Sequence, residues 1–247
     1  MASRWLSPDG DANLVPFARF WVEVVFPFWR ERGARAVREG DPGETLYDWL
    51  GDDEAAWATA QAGFRAAASL LIEPVGDALG DVSDARVLDV GSGHGAYAVE
   101  LARRGASVTL ADRGPALEPA RTAADDAGVR MTFVEGDYRA DELWQRLGER
   151  AGIGNEVPDA GFDLVLLFNV LHGHRPDEAA ALLDYAAAAL APGGRIAILD
   201  QFERDGGSTV ADAGVALLDL TYRITLGGGT LDPDAVNRRL GDAGVTT

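Results

Sequence analysis

Residues 87–96 read Val-Leu-Asp-Val-Gly-Ser-Gly-His-Gly-Ala, an apolar run that passes without a break into three glycines at alternate positions. No other stretch restricts the fold so sharply. A short apolar run bounded in this way suits a buried strand, and glycine lets a turn take positive φ and lets a ligand approach the main chain. A helical stretch follows near 95–104, so the unit reads as strand, glycine turn and helix, the opening of a βαβ crossover.

From Ala85 onward the pattern repeats. Apolar or β-branched runs at 86–90, 107–111, 131–135, 163–168 and 195–199 alternate with helical stretches near 95–104, 115–127, 139–149 and 177–190. Helices are expected again over 209–226 and 232–243. The spacing predicts an α/β fold with a parallel, Rossmann-like sheet flanked by helices. Residues 1–84 lack the alternation and read as a helical N-terminal region. They hold an aromatic block from Phe17 to Trp29 and a Gly/Pro break from Gly40 to Gly43, and within 52–79 Trp57, Phe64, Ala68 and Leu71 recur at helical spacing. Phe17, Phe20, Trp21, Phe26, Phe28 and Trp29 are expected to pack in a helix core and, with it, to form an apolar lid over a pocket. At 247 residues the chain accommodates one such α/β domain, over 85–247, and this smaller appendage.

Charge narrows the partners. Acidic residues number 40 against 22 basic ones, a formal charge of -18 that repels phosphate backbones and anionic lipid, so neither nucleic acid nor a membrane is expected. Every basic residue is arginine, which removes lysine Schiff-base chemistry. Cysteine is absent, so thiolate metal sites and cysteine nucleophiles are excluded, no metal is expected and a cytoplasmic location is inferred. The most apolar stretch, 14–29, is interrupted by Arg19, Glu23 and Pro27 and is too short to span a bilayer.

The remaining signals are carboxylates at strand ends. Gly91, Gly93 and Ala96 satisfy the dinucleotide fingerprint G-x-G-x-x-G/A, so a nicotinamide cofactor has to be weighed. Asp89 at the tip of the first strand repels a pyrophosphate and suits the ammonium of an amino-acid moiety. Asp112 closes the second strand about twenty residues on, where a carboxylate holds a ribose diol, and Arg113 follows it. Gly136-Asp137-Tyr138 ends the third, offering an acceptor for an adenine amino group and a ring to pack on the base.

With Asn169-Val170-Leu171-His172 after the fourth strand, Ala191-Pro192-Gly193-Gly194 before the fifth, and a late Asp219-Leu220 helix leading to Leu226-Gly227-Gly228, the chain from about Leu46 onward resembles class I S-adenosylmethionine (SAM)-dependent methyltransferases. Within that class it is most similar to the small-molecule O-methyltransferases that include plant caffeic acid-type and bacterial antibiotic-tailoring enzymes. The resemblance implies SAM as cofactor, a small-molecule methyl acceptor, and a methyltransferase domain over 85–247. It implies that Asp89, Gly91, Ser92, Gly93 and Gly95 line the methionine and ribose side, that Asp112 binds the ribose with Arg113 beside it, that Asp137 and Tyr138 hold the adenine, and that Phe168 touches the cofactor. His172 matches the general base that takes the acceptor's hydroxyl proton, and Asp200 the acid that orients it.

Other readings stay open at this point: N- or C-methylation, a SAM-binding protein without catalysis, and His174 in place of His172, whereas His94, in the glycine turn, reads as a neighbour of the cofactor. Gly173-His174 stands where the family often has Asp-Trp, and Gly229-Thr230 where a second orienting acid is expected. The family's winged-helix dimerisation part has no match in these residues, so a homodimer is a partner to test rather than one carried over. The family's last two strands are also unmatched, and a cover over the fifth strand, from further chain or from a partner, is expected.

Overall fold

The structure is a computed structural model and describes residues 5–7, 12–51, 53–91, 93–153, 160–203 and 210–246. Ser92 of the glycine turn lies outside the described residues, as do the first positions of the 52–79 and 209–226 stretches.

Five strands, β1 (Arg86–Val90), β2 (Ser107–Asp112), β3 (Thr132–Glu135), β4 (Phe162–Phe168) and β5 (Leu190–Leu199), form one parallel sheet in the order β3-β2-β1-β4-β5. The first three strands step outward on one side and the last two on the other. Connections therefore leave β1 and β4 in opposite directions, and the crevice beyond their carboxyl ends is where open α/β sheets bind ligands. These two strands are central, and Val87, Leu88, Val90, Leu164, Val165, Leu166 and Leu167 are all buried, as unalternated apolar runs covered on both faces require. Leu88, Val90, Val165 and Leu167 face one core layer with Leu143, Leu147 and Leu182; Val87, Leu110, Leu164 and Leu166 face the other with Tyr97, Leu101 and Leu117.

Two expected boundaries shift. The fifth strand begins at Leu190 rather than at 195, because Leu190 already pairs with Phe162 and the register slips before Leu164 pairs with Arg195. Pro192, Gly193 and Gly194 therefore sit in a bulge and not before the strand. The 52–79 stretch divides into Glu54–Ala68 and Ile72–Leu79, and the break at 69–71 leaves Leu71 43% exposed. Among the described residues β5 is the outer strand, paired with β4 alone.

The N-terminal region wraps the carboxyl end of the sheet. A continuous helical rod, α1 (15–39), alternates α-helical turns with wider π turns at Trp21–Val25 and Trp29–Gly33. These bracket Pro27, which lacks an N–H and whose ring would crowd the carbonyl of Glu23 in a regular helix. Next come α2 (Leu46–Leu50), capped by Thr45, and α3 (Glu54–Ala68), capped by Asp53, which accepts from the N–H groups of Ala55 and Ala56. Phe20, Val24, Val25 and Phe28 bury against Leu46, Leu50 and Ala60, with Phe17, Trp21, Trp29, Tyr47, Trp57, Phe64 and Leu226 packed around them. Phe26 stays half exposed. None of the described helices is long and apolar enough to cross a membrane.

Candidate active site

The three-glycine turn joins β1 to α5 (Ala96–Arg103), with φ of +73° at Gly91, +51° at Gly93 and +65° at Gly95. Side chains are disfavoured there twice over, by the backbone conformation and by space: a Cβ on Gly95 would stand 2.6 Å from that of Ala120, and one on Gly91 3.2 Å from the ring of Tyr138. The turn is tied to the second strand. Gly91 N–H donates to the carbonyl of Ala111 at 2.9 Å, and Gly93 N–H to Asp112 Oδ2 at 3.0 Å.

Asp89 is fully buried in β1 beside Leu110 and Leu166. Asp112, at the end of β2, is 6% exposed and accepts from Arg113 N–H through its other oxygen. Asp137 follows β3 with its carboxylate engaged by the Arg139 guanidinium, which holds it below the usual carboxylate range. Tyr138 leans over the turn and meets His174 edge-on at 5.7 Å. The register Val90 to Ala111 and Asp112 to Glu135 lines these residues along one edge. Phe168 ends β4 at the same edge, but its ring packs into the core against Tyr97 at 5.1 Å.

Burial pushes the Asp112 carboxyl up to about 6 from the ordinary 3.8, against the pull of its two N–H donors and of Arg113. A raised acid favours its neutral form in the folded state, so its contribution is greatest below pH ~4 and is lost as pH rises through about 6. The shift corresponds to ~3 kcal/mol at most. His94 runs the other way: burial, aided by Arg65, lowers it from 6.5 to about 4, so its stabilisation is full above pH ~6.5 and fades as pH falls toward 4. Comparing Asp112→Asn with wild type cancels the histidine. The melting-temperature difference should move in the variant's favour between pH 4 and 7 and stay constant above 7; a pH-independent difference would contradict the burial of a charged Asp112.

The second half of the site follows β4 and β5. Phe168 pairs with Leu199, so the residues after them run side by side and Asn169 N–H donates to the Leu199 carbonyl at 2.7 Å. The chain then makes a tight turn, Leu171–Gly173, that brings His172 onto Asp200. His172 Nδ1 lies 2.7 Å from Asp200 Oδ1, and its backbone N–H donates to Oδ2 at 3.2 Å. His172 is 7% exposed, and Tyr222, from helix α9 (Val210–Thr225), stacks on the face of its ring with centroids 4.0 Å apart. The Tyr222 hydroxyl donates to Gln201, whose amide donates to Asn169. His174 is held below its usual pKa by burial, with Glu178 3.8 Å away. His94 is engaged as an acceptor, taking the Ala96 N–H on Nδ1 at 3.1 Å.

Residues from outside the strand-tip pattern close the site. Tyr47 stacks on Trp57, and burial, with the charge of Asp112, raises its phenol to about 12. Asp48 faces Arg113, Asp41 pairs with Arg175, and Arg65 donates to the carbonyls of His94 and Pro119. Sequence reasoning missed Tyr47, Gln61, Arg65, Gln201 and Tyr222. The one available signal was Gln61, a polar residue between Trp57 and Phe64 on an otherwise apolar helix face.

The sheet order and the acids ranged beside a glycine turn define a Rossmann-like fold of the methyltransferase class. Residues 59–244 match a family described as a methyltransferase domain, and the chain belongs to that family. A ubiquinone biosynthesis O-methyltransferase of Xylella fastidiosa (strain 9a5c) is 38% identical over 116 residues, 47% of this chain and 41% of the relative. Aclacinomycin 10-hydroxylase RdmB of Streptomyces purpurascens is 32% identical over 222 residues, 87% of this chain and 54% of the relative. The chain thus spans 41–54% of the length of these curated relatives. Among solved structures, TnmH superposes with a TM-score of 0.76 at 28% identity, over 99% of this chain and 70% of that one. An O-methyltransferase family protein from Burkholderia thailandensis gives 0.78 at 21%, covering 98% and 70%, and shows the shared fold.

Proposed function

We propose that the protein transfers a methyl group from SAM to a hydroxyl of a small molecule, with His172 as general base and Asp200 as the residue that positions it. The observation that carries this reading is the His172–Asp200 pair, at the same sheet edge as the glycine turn. With Asp200 accepting the Nδ1 proton, Nε2 is left with its lone pair. A phenol with a pKa near ~10 is mostly protonated at neutral pH, so a base beside it raises the reactive fraction. As His172 gains the proton, the Asp200 carboxylate and the face of the Tyr222 ring stabilise the imidazolium.

Bound SAM supplies a methyl carbon made electrophilic by a sulfonium that departs as a neutral thioether. Asp89 and the glycines 91, 93 and 95 hold its amino-acid and ribose side, in an assignment that extends to Ser92. Each Asp112 oxygen already takes one N–H and has capacity for a ribose hydroxyl, with Arg113 alongside. Asp137 and Tyr138 take the adenine, and Phe168 supports the edge from beneath. The buried carboxylates Asp89 and Asp112 fit a cationic nucleoside and oppose a pyrophosphate, which weighs against a nicotinamide cofactor.

One observation favours a second reading. The relative matched over 87% of this chain bears the name of a hydroxylase, and Gly173-His174 departs from the usual sequence after the base. Incubation with methyl-labelled SAM and a panel of phenols, amines and carbon acids decides among these. Label on oxygen supports the proposal, label on nitrogen or carbon moves it to the neighbouring class, and an oxygenated product without label transfer sinks methylation. Calorimetry with SAM and NAD tests the cofactor separately.

A further inference from the structure

Gln61 lies in α3, one turn after Trp57 and one before Phe64, on the face that turns toward the sheet. It is 8% exposed, and its Oε1 is buried with no hydrogen-bond partner among the described residues. The amide lies directly over the glycine turn: a Cβ on Gly93 would stand 3.0 Å from Nε2 and 3.2 Å from Oε1. A buried amide oxygen without a partner opposes folding, and leucine, of similar volume, would pack there without that cost. Stability alone does not account for a glutamine.

Several neighbouring donors are already committed. Gly93 N–H goes to Asp112, Ala96 N–H to His94, and Arg65 Nη2 to the carbonyls of His94 and Pro119. Asp89, at the base of the turn, suits an ammonium and repels a carboxylate. An amino-acid zwitterion arriving here thus meets an acid for its positive end, and for its negative end the Gln61 amide, which presents either Nε2 or Oε1 to the turn by rotating. We infer that Gln61 binds the cofactor's amino-acid carboxylate, donating from Nε2 across Gly93. The inference rests on reading the glycine turn as a SAM site, and makes the N-terminal region part of that site.

S-adenosylhomocysteine carries the amino-acid group and 5′-methylthioadenosine lacks it, so titrating both nucleosides isolates the contact. For Gln61→Leu, the Kd of S-adenosylhomocysteine should rise about tenfold or more, as for loss of a hydrogen bond to a charged group, while that of 5′-methylthioadenosine stays within about twofold. The ligand-free melting temperature should be unchanged or higher. Gln61→Glu, which adds negative charge at the same volume, should weaken S-adenosylhomocysteine further, and decides the matter if the leucine variant fails to fold. Wild-type affinity in the leucine variant overturns the inference, as does equal weakening of both nucleosides with a lowered melting temperature, the mark of a packing role. Tighter S-adenosylhomocysteine binding by the glutamate variant overturns it too, since that marks an ammonium contact. Should wild type bind neither nucleoside, the cofactor reading itself fails, and the inference with it.

Discussion

Replacing His172 by glutamine should lower the methylation rate of the hydroxyl acceptor by about 10²–10⁴-fold, the usual worth of a positioned general base, and leave SAM affinity within about twofold. The backbone N–H of residue 172 still donates to Asp200 Oδ2 in the glutamine variant, so the turn at Leu171–Gly173 stays supported while the proton acceptor is gone. Asp200→Asn should produce a loss of similar order for a different reason. An amide can donate to Nδ1 and so hold the wrong tautomer, with Nε2 carrying the proton. His174→Ala is the internal comparison, because His174 faces Tyr138 and Glu178 rather than Asp200. A loss on removing His174, with His172→Gln at the wild-type rate, would transfer the base role to the neighbour.

Much of this candidate site is legible in the sequence, for physical reasons that differ by residue. Asp89, Asp112 and Asp137 stand at or just beyond the carboxyl ends of three successive parallel strands, and period-two burial with short crossovers leaves little freedom in where such residues emerge. His172 and Asp200 were picked out by the resemblance, and they meet in the structure because each follows a strand at short range and the strands are neighbours. Tyr222, Tyr47 and Gln61 were not, because they come from helices. A 3.6-residue period tells which face of a helix is buried but not what that face meets, which here depends on how α1 to α3 settle on the sheet edge. The break at 69–71 is not legible for a related cause: Leu71 continues the apolar spacing of Phe64 and Ala68 while the helix itself stops at Ala68. The bulge in β5 hid behind Pro-Gly-Gly, which ordinarily marks a turn.

Gly228→Ala should lower the turnover of the hydroxyl acceptor by about 100-fold with little effect on SAM binding, although residue 228 is not expected to touch either ligand. A Cβ there would stand 2.1 Å from the His172 carbonyl oxygen and 2.7 Å from the His174 nitrogen. Both are backbone atoms of the turn that carries the base, so no side-chain rotation relieves the clash. Carbon contacts settle near ~3.5 Å, so loop or turn has to shift by about an ångström. Such a shift breaks the bond from Gly229 N–H to the His172 carbonyl and spoils the 2.7 Å contact between His172 and Asp200. Overpacking of this kind costs about 1–3 kcal/mol, so the melting temperature should fall as well. Gly241→Ala separates the effect from a general intolerance of alanine: Gly241 lies within the helix Pro233–Asp242 with nothing within 4 Å of a Cβ, so that change should leave turnover alone and stabilise by about 0.5–1 kcal/mol. A Gly228→Ala enzyme with full turnover would mean that the glycine loop does not hold the base in place, and that the paired Asp200 alone suffices to do so.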